Sequence, residues 1–198
     1  MRKVIVIVWL GVLLAGISAF FWYNDLIYRL PTPVPENYRP VATASLIDLG
    51  PRLPGDSRKP VFLHFFNPAC PCSRFNMTHF KSLVRQYGDL VNFTIVVISN
   101  KKYTVEEIQN KFDIKLPVLF DSAIAASCGV YSTPQAVIIG MDHQLYYRGN
   151  YNRTRYCADK KTEYARIALA TFLDHNPPVV FDQFALKAYG CQLPKCNR

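Results

Sequence analysis

Cys70 and Cys72 stand one residue apart in the run Phe65-Phe66-Asn67-Pro68-Ala69-Cys70-Pro71-Cys72-Ser73-Arg74. They follow the apolar stretch 61–66 and precede a segment with helical periodicity. The first turn of a helix carries unpaired N–H groups and a partial positive charge. Both favour thiolate over thiol, and the thiolate is the nucleophile. This pattern points to thiol–disulfide chemistry. With Cys70 as the N-cap, Pro71 falls on the first helical position, where the N–H it lacks would be unpaired anyway. The Cys70 sulfur would then face the N–H groups of Cys72 and Ser73, and Arg74 adds positive charge nearby. Residues i and i+2 do not face each other on a helix. A Cys70–Cys72 bond would therefore distort the first turn, and a strained bond is readily given up.

The elements that position this run alternate along the chain. Residues 61–66 form a buried strand, and 73–87 a helix with Phe80, Leu83, Val84 and Tyr87 on one face, ended by Gly88. Residues 91–99 form a second strand rich in β-branched side chains. Thr104 and Glu107 are spaced as a capping box for a helix to about Phe112. A short strand follows at 118–120 and a helical turn or two at 122–128. Two strands, 134–139 and 144–148, are joined by a turn at 140–143. Asp159 caps a last helix to about Leu173.

The order β-α-β-α then β-β-α predicts an α/β protein with a thioredoxin-like fold: a central mixed β-sheet flanked by helices. The stretch from Phe62 to Leu83 resembles the active-site strand and helix of membrane-anchored thioredoxin-like proteins of the bacterial periplasm. These are thiol:disulfide oxidoreductases and AhpC-TSA-type redoxins. Some sixty residues on, Gly129-Val130-Tyr131-Ser132-Thr133-Pro134-Gln135 resembles that family's Thr-Pro loop. The resemblance spans roughly residues 45–173. It implies that Pro134 is cis and, with Thr133, lies beside the active-site cysteine. It also implies that Cys70 is the nucleophile. Ser73 then takes the position of the resolving cysteine, which a serine cannot serve, and Cys72 stands where the family has none. His64 aligns with the family's buried carboxylate, where it would shuttle protons or stand as a hydrogen-bonded core histidine.

Three cycles stay open. Cys72, the nearest candidate, resolves Cys70 through a strained ring. Alternatively, Cys128, Cys157 or Cys191 resolves it after a loop movement, or Cys70 works as a monothiol with an external partner. Cys128 lies in an apolar segment and reads also as a small core residue. Cys157, Cys191 and Cys196 lie outside the usual core and suit structural disulfides, Cys191–Cys196 or Cys157–Cys191, of an exported protein. His79, His143 and His175 read as surface residues.

Arg2 and Lys3 precede an uncharged stretch, residues 4–23, with the length of a membrane-crossing helix. It ends in the aromatic cluster Phe20-Phe21-Trp22-Tyr23, suited to the membrane interface. The expectation is an uncleaved signal anchor over 1–23 and a proline-rich stalk over 24–44. The thioredoxin-like domain then occupies 45–175, and a cysteine-containing extension 176–198. Arg2 and Lys3 put the N-terminus in the cytoplasm, so the domain would face the periplasm from the bacterial inner membrane. The net charge of +9 is scattered, with no basic run interleaved with aromatics, which argues against nucleic-acid binding. The expected function is thiol–disulfide exchange without a cofactor or metal. Its partners would be cysteine-containing exported proteins or a membrane thiol reductase or oxidase. The competing functions are a peroxiredoxin-like peroxide reductase, a Cu(I) chaperone using Cys70 and Cys72, and a redox-inert binding module.

Overall fold

The computed structural model describes residues 2–154, 156–177 and 179–193; Cys196 lies outside the described residues. Two compact units divide the chain, one up to Pro31 and one from Thr32 onward. The first is helix α1 (Arg2–Arg29). Its segment Arg2–Asn24 has a mean hydropathy of 2.7 and is long and apolar enough to cross a membrane. The helix continues beyond Tyr23 because no breaker intervenes before Pro31, whose ring disfavours helical backbone at Leu30.

The second unit contains β1 (Val61–Phe66), α2 (Pro71–Tyr87), β2 (Asn92–Val97), α3 (Val105–Phe112) and β3 (Val118–Leu119). There follow α4 (Ser122–Ser127), β4 (Ser132–Thr133), β5 (Gln135–Ile139), β6 (Leu145–Gly149), α5 (Tyr164–Leu173), α6 (Gln183–Leu186) and β7 (Cys191–Gln192). Five strands form one mixed sheet in the order β3-β2-β1-β5-β6, with β1, β2 and β3 parallel. β5 runs antiparallel to β1, and β6 antiparallel to β5. This is the thioredoxin-like fold. Period-two alternation sends β1 side chains to opposite faces. Phe62 and Phe66 join Phe80 and Leu83 of α2 and Ala168 and Leu169 of α5 in one core. Leu63 and Phe65 join Ile124 and Cys128 in the other. The capping box at the start of α3 is present, Thr104 Oγ1 accepting from Glu107 N–H and Glu107 accepting from Thr104 N–H.

Three segments differ from expectation. Asp159 caps only a short 3-10 turn, Lys160–Thr162, and α5 begins at Tyr164, because Glu163 leaves the helical backbone region. The segment expected as a stalk is tied to the second unit from Thr32 onward. Thr32 N–H donates to Ala188 O at 2.8 Å, Ala44 N–H to Leu145 O at 2.8 Å, and the Tyr38 hydroxyl to Gly129 O at 2.9 Å. A proline-rich strand without regular partners satisfies its remaining backbone groups this way.

The extension after α5 also folds onto the sheet. Asn150, buried after β6, clasps it: its side-chain N–H groups donate to Phe184 O (2.7 Å) and Lys187 O (2.6 Å), and its backbone N–H to Ala185 O (2.8 Å). Its Oδ1 accepts from Tyr189 N–H at 3.3 Å. Gly149 lets α6 approach, since a Cβ there would collide with the Ala185 carbonyl. The extension includes β7, paired antiparallel with β4 outside the main sheet.

β1 also carries a fully buried polar side chain. His64 stacks on Phe80 (ring centroids 4.2 Å apart), and its Nδ1 lies 2.6 Å from the Tyr151 hydroxyl. Burial, reinforced by His79, lowers its pKa to about 3. An unfolded histidine titrates near 6.5, so protons bind the unfolded chain first as pH falls. The native state keeps this contribution in full above 6.5 and loses it as pH drops toward 3. In urea unfolding followed by tyrosine near-UV dichroism, the wild-type midpoint should fall across that window and that of His64→Gln should fall less steeply. Equal slopes would remove His64 as a source. Asn150→Ala should release the extension first, costing about 1–3 kcal/mol for each buried carbonyl left unpaired. Hydrogen exchange should then rise at residues 183–190 before the five-stranded sheet is affected.

Candidate active site

The turn after β1 holds Cys70 rigidly. Asn67 Oδ1 accepts from Ala69 N–H (3.0 Å) and Asn67 O from Cys70 N–H (3.0 Å). Ser73 Oγ, fully buried, accepts from Asn67 N–H at 3.3 Å. Ser73 thus braces the loop before the cysteine, which explains a hydroxyl at this position. Cys70 is the N-cap of α2 and Pro71 its first residue, as the spacing predicts. The Cys70 side chain makes no capping hydrogen bond to the helix. Its sulfur is bonded instead to Cys191, 121 residues away. Arg74 is exposed on the first turn.

The bond to Cys191 replaces the pairing expected first, with Cys72. Cys72 is the second residue of α2 and points away from Cys70 along the helix surface, so it cannot meet it without unwinding the turn. Cys191 arrives from the other side. The Thr133–Pro134 peptide is cis, as the resemblance implies, and the Thr133 carbonyl lies 3.8 Å from Cys70 Sγ. In the β4–β7 ladder Cys191 is the direct partner of Thr133, so strand pairing delivers its sulfur to Cys70. Ser132 Oγ donates to Cys191 O (3.2 Å), and Thr32 Oγ1 to Gly190 O (3.2 Å). Gly190 is required here: its φ of 145° excludes other residues, and a Cβ would collide with the Thr133 carbonyl. Cys70 is only 2% exposed beneath this strand, whereas Cys191 is half-buried. Since Cys191 is bonded to Cys70, the expected Cys157–Cys191 and Cys191–Cys196 pairs do not form.

Cys72, Cys128 and Cys157 carry thiols. Cys128 is a core residue, fully buried, and burial pushes its thiol up to about 12. Cys72 is 2% exposed; Cys157 donates its thiol to Asn76 Oδ1 at 3.2 Å. His79, expected at the surface, is buried one turn beyond Asn76 because the side chain of Glu163 covers it, 3.8 Å from Nδ1. His64 Nε2, Asn76 Nδ2 and His79 Nε2 are buried without hydrogen-bond partners. His143 and His175 are exposed. Among the described residues, no group of three or more His, Cys, Asp or Glu side chains is placed to hold a metal ion.

Cys191 appeared among the sequence candidates only for a loop movement or a structural bond, and Ser132, Asn150 and Gly190 were missed. Glycine directly before a cysteine was the one available signal. Nothing in a linear pattern marks a distant residue that pairs across 58 positions, as Cys191 does with Thr133.

Among solved structures, the chain is similar to an uncharacterized conserved protein from Geobacillus kaustophilus, at 18% identity and a TM-score of 0.61, covering 84% of this chain and 94% of that one. It is similar also to a hypothetical protein from Sinorhizobium meliloti, at 16% identity and a TM-score of 0.58, covering 69% and 80%. The thioredoxin domain of a thiol-disulfide oxidoreductase from Bacteroides vulgatus matches at 12% identity and a TM-score of 0.46, covering 59% and 94%. At these identities the likeness is one of fold. No protein with a curated description matches the chain. A family described as a domain of unknown function matches residues 42–192, from the segment tied beside β6 through the bonded β7 strand. The chain belongs to that family, DUF6436.

Proposed function

We propose that the protein is a membrane-tethered thiol–disulfide oxidoreductase whose redox pair is Cys70 and Cys191. The observation that carries this reading is the Cys70–Cys191 bond at a helix N-cap, beside the cis Thr133–Pro134 peptide. In the reduced protein, the helix N-terminus favours the Cys70 thiolate. That thiolate attacks one sulfur of a substrate disulfide, and the other leaves as a thiolate and takes up a proton. Cys191, deprotonated, then attacks Cys70 Sγ, and the substrate departs with its second thiol. Two electrons pass to the substrate, and the protein is left with the Cys70–Cys191 bond. The reverse sequence oxidises a substrate dithiol through the same steps.

Cys191 replaces Cys72 as the resolving thiol in this reading because β7 can leave and re-form its short pairing with β4. While β7 is away, β4 offers an open edge on which an extended substrate segment can pair. The substrates are cysteine-containing exported proteins, and the return partner is a membrane thiol reductase or oxidase. Helix α1 anchors the chain in a bacterial inner membrane. The charges of Arg2 and Lys3 support a cytoplasmic N-terminus, and the disulfide supports a periplasmic body.

The test uses the full chain in detergent with glutathione disulfide as probe, read by intact mass after acid quench. Cys70→Ser should lose exchange by about 100-fold or more, since no other thiol sits at the helix N-cap. Cys191→Ser should hold one glutathione per chain on Cys70 at early quench times, when wild type has already closed the Cys70–Cys191 bond. Cys72→Ser should keep exchange within about threefold of wild type, as expected for a thiol outside the reacting pair. Undiminished exchange in Cys70→Ser, or exchange in Cys191→Ser as fast as in wild type through a stable Cys70–Cys72 bond, would overturn the assignment.

A further inference from the structure

Two further thiols, Cys72 and Cys157, take no part in the exchange cycle. Cys72 and Asn76 stand one turn apart on the same stripe of α2, both buried. The loop after β6 returns to this stripe and places the Cys157 thiol 3.2 Å from Asn76 Oδ1. Asn76 thus stands one turn from Cys72 on the helix and within hydrogen-bond contact of Cys157. Negative charge on Cys72 is felt at Cys157: it adds to burial and Glu163 in pushing that thiol up to about 12.

The surroundings are not those of inert core cysteines. Asn76, 1% exposed, contacts Cys157 through Oδ1 yet leaves its Nδ2 without a hydrogen-bond partner. His79, one turn further along α2, leaves Nε2 likewise. Each such group loses its water partners without gaining others, and native structures hold few of them. Cys157 itself occupies the left-handed region, with φ of 52°, a conformation that a non-glycine residue holds only when its surroundings impose it. An apolar pair of side chains would fill this space at lower cost.

We propose that Cys72 and Cys157 form a second redox pair, able to receive the disulfide held by Cys70 and Cys191. This inference rests on the exchange reading above for the way the pair is loaded. Cys72, deprotonated, attacks Cys70 Sγ, and Cys191 leaves as a thiolate and takes the proton. Cys157, deprotonated, then attacks Cys72 Sγ, and Cys70 leaves as the thiolate. One disulfide moves inward and two electrons move outward, with no external oxidant. The transient Cys70–Cys72 bond requires the first turn of α2 to open. That opening breaks the Arg74 N–H to Cys70 O bond of 3.2 Å, while Pro71 has no N–H to lose. Four sulfur atoms would then hold up to four electrons in one chain.

The experiment equilibrates the full chain in detergent with glutathione buffers of increasing oxidation, followed by alkylation, intact mass and peptide mapping. The wild type should pass from all thiols through one disulfide to two, the second linking Cys72 to Cys157. Cys70→Ser/Cys191→Ser should still form the Cys72–Cys157 link, and Cys157→Ser should lose it while keeping glutathione exchange. The proposal is overturned if fully oxidised wild type yields no Cys72–Cys157 peptide, a readout that needs no variant to fold. It is overturned equally if a folded double variant stays fully thiol or links through Cys128 or Cys196 instead. Failure of the exchange reading has a different signature: the Cys70–Cys191 bond would not respond to glutathione, whether or not the inner link forms.

Discussion

The pairing of β7 with β4 is the contact on which the site depends. Two residues of ladder are a weak association by themselves, since an isolated pair of short strands is marginal in water. Here the pairing is supported from outside. Asn150 clasps the extension up to Tyr189, Thr32 holds the Gly190 carbonyl, and Gly190 admits the approach to Thr133. The entropy of bringing residue 191 to residue 70 is thus largely met before the sulfur atoms meet, because α6 is docked independently of them. β7, paired with β4 through two residues, carries the sulfur bonded to Cys70.

The opposite side of the cysteine is built for rigidity. β1 is the central strand of the sheet, bonded on both edges to β2 and β5, and its exit loop is braced by Asn67 and Ser73. The proposed exchange cycle uses this division, with Cys70 on braced elements and a short strand over it. This arrangement excludes solvent from Cys70 in the bonded state without burying the whole loop.

Behind both lies a polar pocket that an ordinary core would not tolerate. His64, Asn76, His79 and Tyr151 sit among phenylalanines, and burial holds His64 and His79 below the usual histidine range. Keeping the imidazoles neutral avoids buried positive charge but leaves donors and acceptors unpaired. Cys157 borders this cluster through Asn76 while packing against the core of α2 and α5, and Cys128 is enclosed by apolar side chains.

Much of the fold was legible in the residues themselves. The apolar run 61–66 and β-branched richness in 91–99 marked the two central strands. The Thr104–Glu107 box marked α3, and Pro71 after Cys70 marked the start of α2, because each of these signals acts within a few residues. The same locality explains the nucleophile's place at a helix N-cap and the cis proline implied by the Thr-Pro loop. It explains also why Cys70 and Cys72, neighbours in sequence, were expected to react together. Helix geometry turned Cys72 inward to Asn76, and only the tertiary structure chose Cys191. That choice depends on a ladder that pairs Thr133 with Cys191, 58 residues on, and a clasp at Asn150, long-range contacts whose formation the packed sheet enables and no local pattern encodes.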